Sequence, residues 1–325
     1  MFKRILITGG CGFIGSNLIK ILTKLRLCDE ILVLDNETTG DSASLSQYPH
    51  RFIKGDVRDR KLVDNAICDV DAVVHLAADT GVIDSIKNPV YNFEVNVHGT
   101  LNILEAMRKY KVPCLVNAST GGAIIGDVVP PVHELMPVNP ASAYGASKAA
   151  AEAYCSAYSQ SYGLSITSLR FSNVYGPLSL HKGSVIAAFM KKIIRNETCE
   201  VYGDGSQTRD FIFVGDLCKG IIQALNNNQS GVFQLGSGRP NSVNEIINLL
   251  RKLTGKNENL NVIYHDFRAG EVRHNFTDIS KAKQYLGFNP EVELLNGIKA
   301  TWDYFISKED ILMGSSNQRI LENAD

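Results

Sequence analysis

Arg4-Ile5-Leu6-Ile7-Thr8-Gly9-Gly10-Cys11-Gly12-Phe13-Ile14-Gly15 is a strand-sized apolar run that ends in glycines and passes straight into a helical pattern reaching Leu25. Glycines at 9, 12 and 15 permit a tight turn, close approach of backbone to a pyrophosphate, and close packing of helix on strand. The diphosphate then lies on the helix N-terminus. Asp35 follows twenty residues after Gly15, at the end of the next strand-like run, Glu30 to Asp35. A carboxylate there accepts hydrogen bonds from the adenosine ribose and repels a 2′-phosphate, so the pattern implies NAD and not NADP. Taken singly, the glycines could make a structural turn and Asp35 a helix cap. Their order, strand to turn to helix to strand to acid, favours the dinucleotide.

The alternation continues outward from this turn. Strand-sized runs at Arg51 to Lys54, Ala72 to Leu76, Cys114 to Asn117 and Ser165 to Arg170 are separated by helical patterns such as Glu94 to Tyr110 and Ala143 to Tyr162. Apolar strands interleaved with covering helices make a parallel sheet, so the expected fold is α/β, a Rossmann-type doubly wound domain. Two more strand ends fall where such a domain places its cofactor: Asp56-Val57, beside an adenine, and Leu76-Ala77-Ala78, where backbone can approach it. After Arg170 the rhythm loosens. The expected division is an NAD-binding domain over 1–176, with 211–235 returning to it, and a smaller intertwined substrate lobe over most of 177–325.

Composition narrows the partners. Thirty-three basic and 34 acidic residues give a net charge of −1 over 325 residues, which leaves no basic surplus for nucleic acid or an anionic membrane and points to a small ligand. Seven scattered cysteines without a CxxC pair fit neither a disulfide framework nor a zinc site. The histidines do not cluster, and no HExxH, Walker A or GxSxG match occurs, so no metal is expected. Met-Phe-Lys-Arg runs directly into the first strand without a signal-peptide pattern, and no apolar run approaches the ~20 residues that span a bilayer. A cytoplasmic protein is expected.

Tyr144-Gly145-Ala146-Ser147-Lys148 heads a strong helix-forming run, Ala149-Ala150-Ala151-Glu152, which puts Tyr144 and Lys148 one turn apart on one face. A phenol titrates near about 10, and an adjacent ammonium favours the phenolate, which suits the pair to general-base work. A Tyr and Lys at this spacing occur by chance in many helices. Downstream of a dinucleotide turn, the pair is read as functional.

These residues, with Ser119-Thr120 at a strand end, resemble the extended short-chain dehydrogenase/reductases, and in particular their nucleotide-sugar epimerase/dehydratase group. The likeness covers nearly the whole chain through ordered blocks: Asp35-Asn36, His75-Leu76-Ala77-Ala78, Asn96-Val97-His98-Gly99-Thr100, the run from Arg170 to Pro177, and the run from Tyr202 to Phe211. The resemblance implies that Tyr144 takes a sugar hydroxyl proton while Lys148 binds the nicotinamide ribose and holds the tyrosine anionic. It implies that Ser119 or Thr120, with Thr120 favoured, bonds the same sugar oxygen. Gly9, Gly12, Phe13, Ile14, Gly15, Asp35, Asn36, Asp56, Val57, Leu76, Ala77, Ala78 and Asn96 would serve NAD. Asn173, Val185, Tyr202, Arg209, Arg268 and Glu271 would line a nucleotide-diphosphate site, with the arginines on the phosphates. Asn275 falls where the family limits the size of the sugar pocket. A homodimer, through a helix bundle that includes Glu94 to Tyr110 and Ala143 to Tyr162, is implied likewise.

The dehydratases and decarboxylases of this group carry an acidic residue after the Ser/Thr, where this chain has Gly121-Gly122. Without a second acid/base, reversible oxidation at one carbon is the accessible chemistry, so a 4-epimerase is expected, with a UDP-hexose favoured as substrate. In that cycle a hydride passes from sugar C4 to NAD as Tyr144 removes the hydroxyl proton, the keto sugar turns over, and the hydride returns to its other face. A dehydratase or reductase of the same fold, and a catalytically silent NAD or sugar-nucleotide binder, are the alternatives. Ile125-Gly126 stands where the family usually has Tyr-Gly, which leaves the sugar open. Asn275 is smaller than the tyrosine of hexose-restricted members, so an N-acetylated sugar is expected to fit.

Overall fold

The computed structural model describes residues 2–255, 260–267 and 272–313. Its strands, in chain order, are β1 (Phe2–Thr8), β2 (Cys28–Asp35), β3 (Arg51–Lys54), β4 (Ala72–His75), β5 (Cys114–Thr120), β6 (Ser165–Phe171), β7 (Asn173–Tyr175), β8 (Cys199–Tyr202), β9 (Thr208–Phe213), β10 (Gly231–Leu235), β11 (Pro240–Ser242) and β12 (Val262–His265). Seven of them form one sheet in the order β10-β6-β5-β4-β1-β2-β3, with every neighbouring pair parallel.

Side-chain alternation explains why these strands read as unbroken apolar runs. Ile5 and Ile7 enter one core with Leu18, Ile19 and Leu22 of helix Phe13–Leu25, while Leu6 between them enters a second core with Ile103, Leu104 and Met107 of helix Gly99–Tyr110. Both faces are covered, and each such side chain contributes about 1.5–3 kcal/mol by its burial. From the central pair β1 and β4 the chain winds outward in opposite directions. The crevice beyond the C-terminal ends of these two strands is therefore the topological switch point, where a Rossmann-type sheet receives its ligand.

Two differences from the sequence reading bear on the site. β5 extends to Thr120 instead of ending at Asn117, which brings Ser119 and Thr120 into the strand. The helix expected over Glu94 to Tyr110 begins as a wide turn, Glu94–His98, closed by the Gly99 amide on the Glu94 carbonyl, and becomes α-helical only from Gly99. Wide turns of this kind mark functional sites and re-aim the side chains they carry. Val95, Asn96 and Val97 are buried here, and Asn96 is the polar one.

After β6 the chain leaves the sheet. β7, β9 and β11 form a three-stranded sheet, β8 pairs with β12, and a third core packs Phe189, Met190, Phe211, Ile246 and Phe305. Ile212 of β9 already lies in the first core, although Phe211–Phe213 pair with β7. Helix Val214–Asn227 then supplies Leu217, Ile221 and Leu225 to the first core, and β10 adds to the β6 edge. Ala282 and Leu286 of helix Ser280–Leu286, from the stretch expected in the smaller lobe, enter that first core too.

Candidate active site

Three glycines shape the first turn in different ways. Gly9 adopts φ +69°, and a Cβ on it would come within 2.6 Å of the Ala77 amide nitrogen. A Cβ on Gly15 would meet the Gly9 carbonyl oxygen at 2.5 Å. Those two positions are closed by protein backbone. At Gly12, which caps helix Phe13–Leu25, a Cβ would meet only the Gly9 carbonyl, at 3.3 Å. The open space beside Gly12 at a helix N-terminus is a cradle that a side chain would fill and a pyrophosphate fits. Asp35 stands beneath it, with Oδ2 accepting from the Cys11 amide at 2.9 Å and Oδ1 from the Glu37 amide at 2.7 Å. These bonds occupy only part of the carboxylate's acceptor capacity.

The other strand ends meet the same crevice. Asn36 donates to Asp56 at 3.0 Å, and Arg58 grips both oxygens of that carboxylate through Nε and Nη2. Burial works to raise the Asp56 carboxyl and is outweighed by the Arg58 and Asn36 bonds, which hold it below its ordinary value. Asn102 fixes the Val57 carbonyl at 3.1 Å. After β4, the Leu76 amide bonds the Thr8 carbonyl, and the Ala77 amide bonds the Thr8 hydroxyl, which keeps the Leu76–Ala78 backbone against the glycine turn. His75 lies buried between the hydroxyls of Thr8 and Thr100. Burial first, and then the Lys148 charge, push its imidazole down to about 3, so it is neutral.

Asn96, expected on the cofactor side, is 1% exposed. Its amide holds the Asp79 backbone through both N–H and carbonyl and donates to Ser147 at 2.9 Å, while Ser147 donates to Asn92 at 2.7 Å. The side chain ties the segment after β4 to helix Ala143–Tyr162. Asp79, Asn92 and Ser147 escaped the sequence reading because their bonds join residues far apart in the chain.

Helix Ala143–Tyr162 starts at Ser142, whose hydroxyl accepts the Gly145 amide, and stops at Gly163 in the left-handed conformation. A Cβ on Gly145 would lie 2.0 Å from the Ala123 carbonyl, so glycine lets the helix press against the short helix Gly121–Ile125. That approach brings Tyr144 close enough to Thr120 for its hydroxyl to act on the phenol. Burial pushes the phenol up to about 12, and the Thr120 bond pulls the other way. Lys148 is 4% exposed and donates to the Ala118 carbonyl at 3.0 Å. Burial pushes its ammonium down to about 8.

The structure separates the two candidate hydroxyls. Successive residues of a strand face opposite ways, so Ser119 and Thr120 cannot both reach Tyr144. Ser119 is turned into the core, donating to Glu152 at 2.5 Å, and Thr120 is the one of the two that acts on the phenol. Of the two expected hydroxyls, Thr120 is thus the one beside the phenol, and Ser119 is committed to Glu152.

In the smaller lobe, Asn173, Val185, Tyr202 and Arg209 line one cleft of about 410 Å³, joined by Gln207 and Phe189. Val185 begins helix Val185–Ile194, whose positive end opens on this cleft. Tyr202 stacks on His265 with ring centroids 5.2 Å apart. Arg209 Nη1 bonds the carbonyls of Thr208 and Arg273. Strand alternation sends Asp210 to the opposite face, where its buried carboxylate accepts from Ser172, Ser237, Gly238 and Thr277. Asn275 joins the lobe to the catalytic corner: its amide N–H bonds the Thr208 carbonyl, and its side-chain nitrogen lies 2.6 Å from where a Gly122 Cβ would stand. Arg268 and Glu271 lie outside the described residues. Among those described, no group of three or more His, Cys, Asp or Glu could hold a metal ion.

A phenol and an ammonium sharing a helix that runs along a doubly wound parallel sheet place the protein among the short-chain dehydrogenase/reductases. More closely, the sequence profile of the NAD dependent epimerase/dehydratase family matches residues 5–236, and the chain belongs to that family of NAD-dependent enzymes. It is 41% identical over 299 residues to a putative UDP-glucose 4-epimerase of Methanocaldococcus jannaschii, covering 91% of this chain and 96% of the relative. The UDP-glucose 4-epimerase of Thermotoga maritima, solved with UDP-glucose, superposes with a TM-score of 0.89 at 34% identity over 94% of this chain and 99% of that one. The Thermus thermophilus UDP-glucose 4-epimerase, solved with NAD, gives 0.85 at 37% identity over 93% and 99%.

Proposed function

We propose that the protein is a nucleotide-sugar 4-epimerase that inverts C4 of a UDP-hexose. The observation that carries this reading is the corner formed by Thr120, Tyr144 and the two glycines beside them. A side chain at 121 would have to displace the buried Gln234 amide, 2.7 Å from its Cβ, and one at 122 the Asn275 amide. The site therefore offers one acid/base and leaves little room for a second, which suits reversible oxidation at one carbon better than elimination of water. Gly9, Gly12 and Gly15 would hold the pyrophosphate of NAD, Asp35 its adenosine ribose and Lys148 its nicotinamide ribose. Bound NAD would supply the hydride acceptor. Tyr144 accepts the C4 hydroxyl proton and gives it back, Thr120 orients that oxygen, and Lys148 favours the phenolate at the moment the proton leaves. In the smaller lobe, Arg209 and the start of helix Val185–Ile194 would face the diphosphate, with Asn173 and Tyr202 beside the nucleoside. Purified protein given UDP-, dTDP-, GDP- and CDP-hexoses is expected to interconvert C4 epimers of the UDP-sugars, followed by NMR. A stable keto or deoxy sugar would establish a dehydratase instead.

Asn275 is the proposed gate on sugar size. Asn275→Tyr would add a ring next to Gly122 and is expected to abolish turnover of a UDP-N-acetylhexosamine while sparing the plain UDP-hexose. Equal loss of both rates would remove Asn275 as the gate.

The protein is further proposed to act as a homodimer in the cytoplasm. Val82, Ile83, Ile86, Val90 and Phe93 are exposed on two short helices beside helix Ala143–Tyr162, which adds exposed Tyr154, and a patch of that kind favours a second copy. All seven cysteines are free, as a reducing compartment keeps them, and among the described residues no helix is long and apolar enough to cross a membrane. Sedimentation velocity is expected to give a dimer mass, and a monomer would count against this interface.

A further inference from the structure

Behind Lys148 the same helix carries Glu152, so that Tyr144, Lys148 and Glu152 follow one another every four residues along one stripe. Glu152 and Arg170 are 7% and 4% exposed, and they pair in the core. Arg170 of β6 donates from Nη2 to Oε2 at 2.7 Å and from Nε to Oε1 at 2.9 Å. Ser119, in register with Arg170 across β5 and β6, donates its hydroxyl to Oε1 at 2.5 Å. Ala118, the residue before Ser119, receives the Lys148 ammonium on its carbonyl. These contacts close a circuit from helix carboxylate to strand hydroxyl, along one peptide unit, and back to the helix through Lys148. A buried ion pair is a poor way to gain stability, because its desolvation commonly offsets its attraction. Its placement one turn behind Lys148 suggests a different use.

We propose that Ser119, Glu152 and Arg170 form a positioning unit for Lys148, fixing its ammonium on the Ala118 carbonyl and balancing the charge around it. The proposal rests on the reading of Lys148 as the partner of Tyr144. Besides these, the groups facing Lys148 are Cys155 on its own helix and the neutral His75 of β4, while Asp79 after β4 acts on Tyr144. Burial lowers the Lys148 ammonium, and the Glu152 carboxylate acts against that lowering, while burial pushes the Cys155 thiol up to about 12 and keeps it neutral. Removing the Glu152 charge leaves Arg170 as an uncompensated cation near a second one, which disfavours protonated Lys148. Removing Arg170 alone leaves an uncompensated anion, which favours it.

The test is an NMR titration of Lys148 in the NAD-loaded protein carrying ¹³C-labelled lysine, with the signal assigned by its loss in Lys148→Arg, beside the pH profile of kcat. Glu152→Gln is expected to move the Lys148 midpoint and the alkaline limb of kcat to lower pH by about one unit or more, and Arg170→Met to move the midpoint upward. KM for the UDP-sugar stays as in the parent protein. The double variant Glu152→Gln/Arg170→Met sheds both charges together, which such pairs tolerate, and returns the midpoint to the parent value. A merely structural pair would lower the yield of folded protein and leave the midpoint in place. Folded single variants with an unmoved midpoint, or a double variant still shifted, overturn the proposal. The titration needs no turnover, so a protein that fails to epimerise would remove the functional reading without deciding this one.

Discussion

Tyr144→Phe is expected to lower kcat for a UDP-hexose on the order of a thousandfold while NAD is retained at the parent stoichiometry. The substitution removes one oxygen and leaves the ring, so the packing that seats residue 144 in the first turn of its helix persists. The phenol beside Thr120 is lost, and with it the proposed acceptor of the sugar hydroxyl proton. Neutral water is a far weaker base, and the full proton-transfer contribution should disappear from kcat and little of it from KM. Turnover close to that of the parent protein would show that another residue serves as the base.

Lys148→Met is expected to cost a hundredfold or more in kcat and to weaken NAD as well, so that both readouts fall where Tyr144→Phe moves only one. Methionine fills a similar volume without leaving a buried charge, which separates lost chemistry from lost folding. The pH profile discriminates further. Lys148 is held down to about 8 by burial, so the parent enzyme should lose activity as pH rises through that region and the ammonium gives up its proton. The variant has no such proton to lose and should lack that limb. A variant with the parent limb intact would place the titrating group elsewhere.

The legibility of this molecule in its sequence divides along physical lines. The glycine turn, the acid at the end of β2 and the Tyr144–Lys148 pair are local patterns, set by φ angles, strand length and helical pitch, and they could be read directly. Helix Ala143–Tyr162 has the bounds its composition suggested because Ser142 and Gly163 cap it. Ser119 and Thr120 could not be separated in the same way. Their roles depend on three more residues of strand pairing between β5 and β6, and on a carboxylate and a guanidinium that meet Ser119 only in the folded core. Asn96 was read as a cofactor-side residue, and the structure adds its bonds to Asp79 and Ser147 from the wide turn at Glu94–His98. Nothing in its neighbours signals that turn. The steric closure around Gly121 and Gly122 was likewise invisible, since Gln234 and Asn275 arrive from more than a hundred residues away.

The central claim is that the sugar is oxidised at C4 and reduced again with the same hydrogen, without any exchange with solvent. A UDP-hexose carrying deuterium at C4, incubated with the NAD-loaded protein in ordinary water and analysed by NMR, measures this directly. The expected result is an equilibrium mixture of the two C4 epimers, each retaining deuterium at C4. Loss of the label to water, or accumulation of a keto product in place of the epimer, would contradict it.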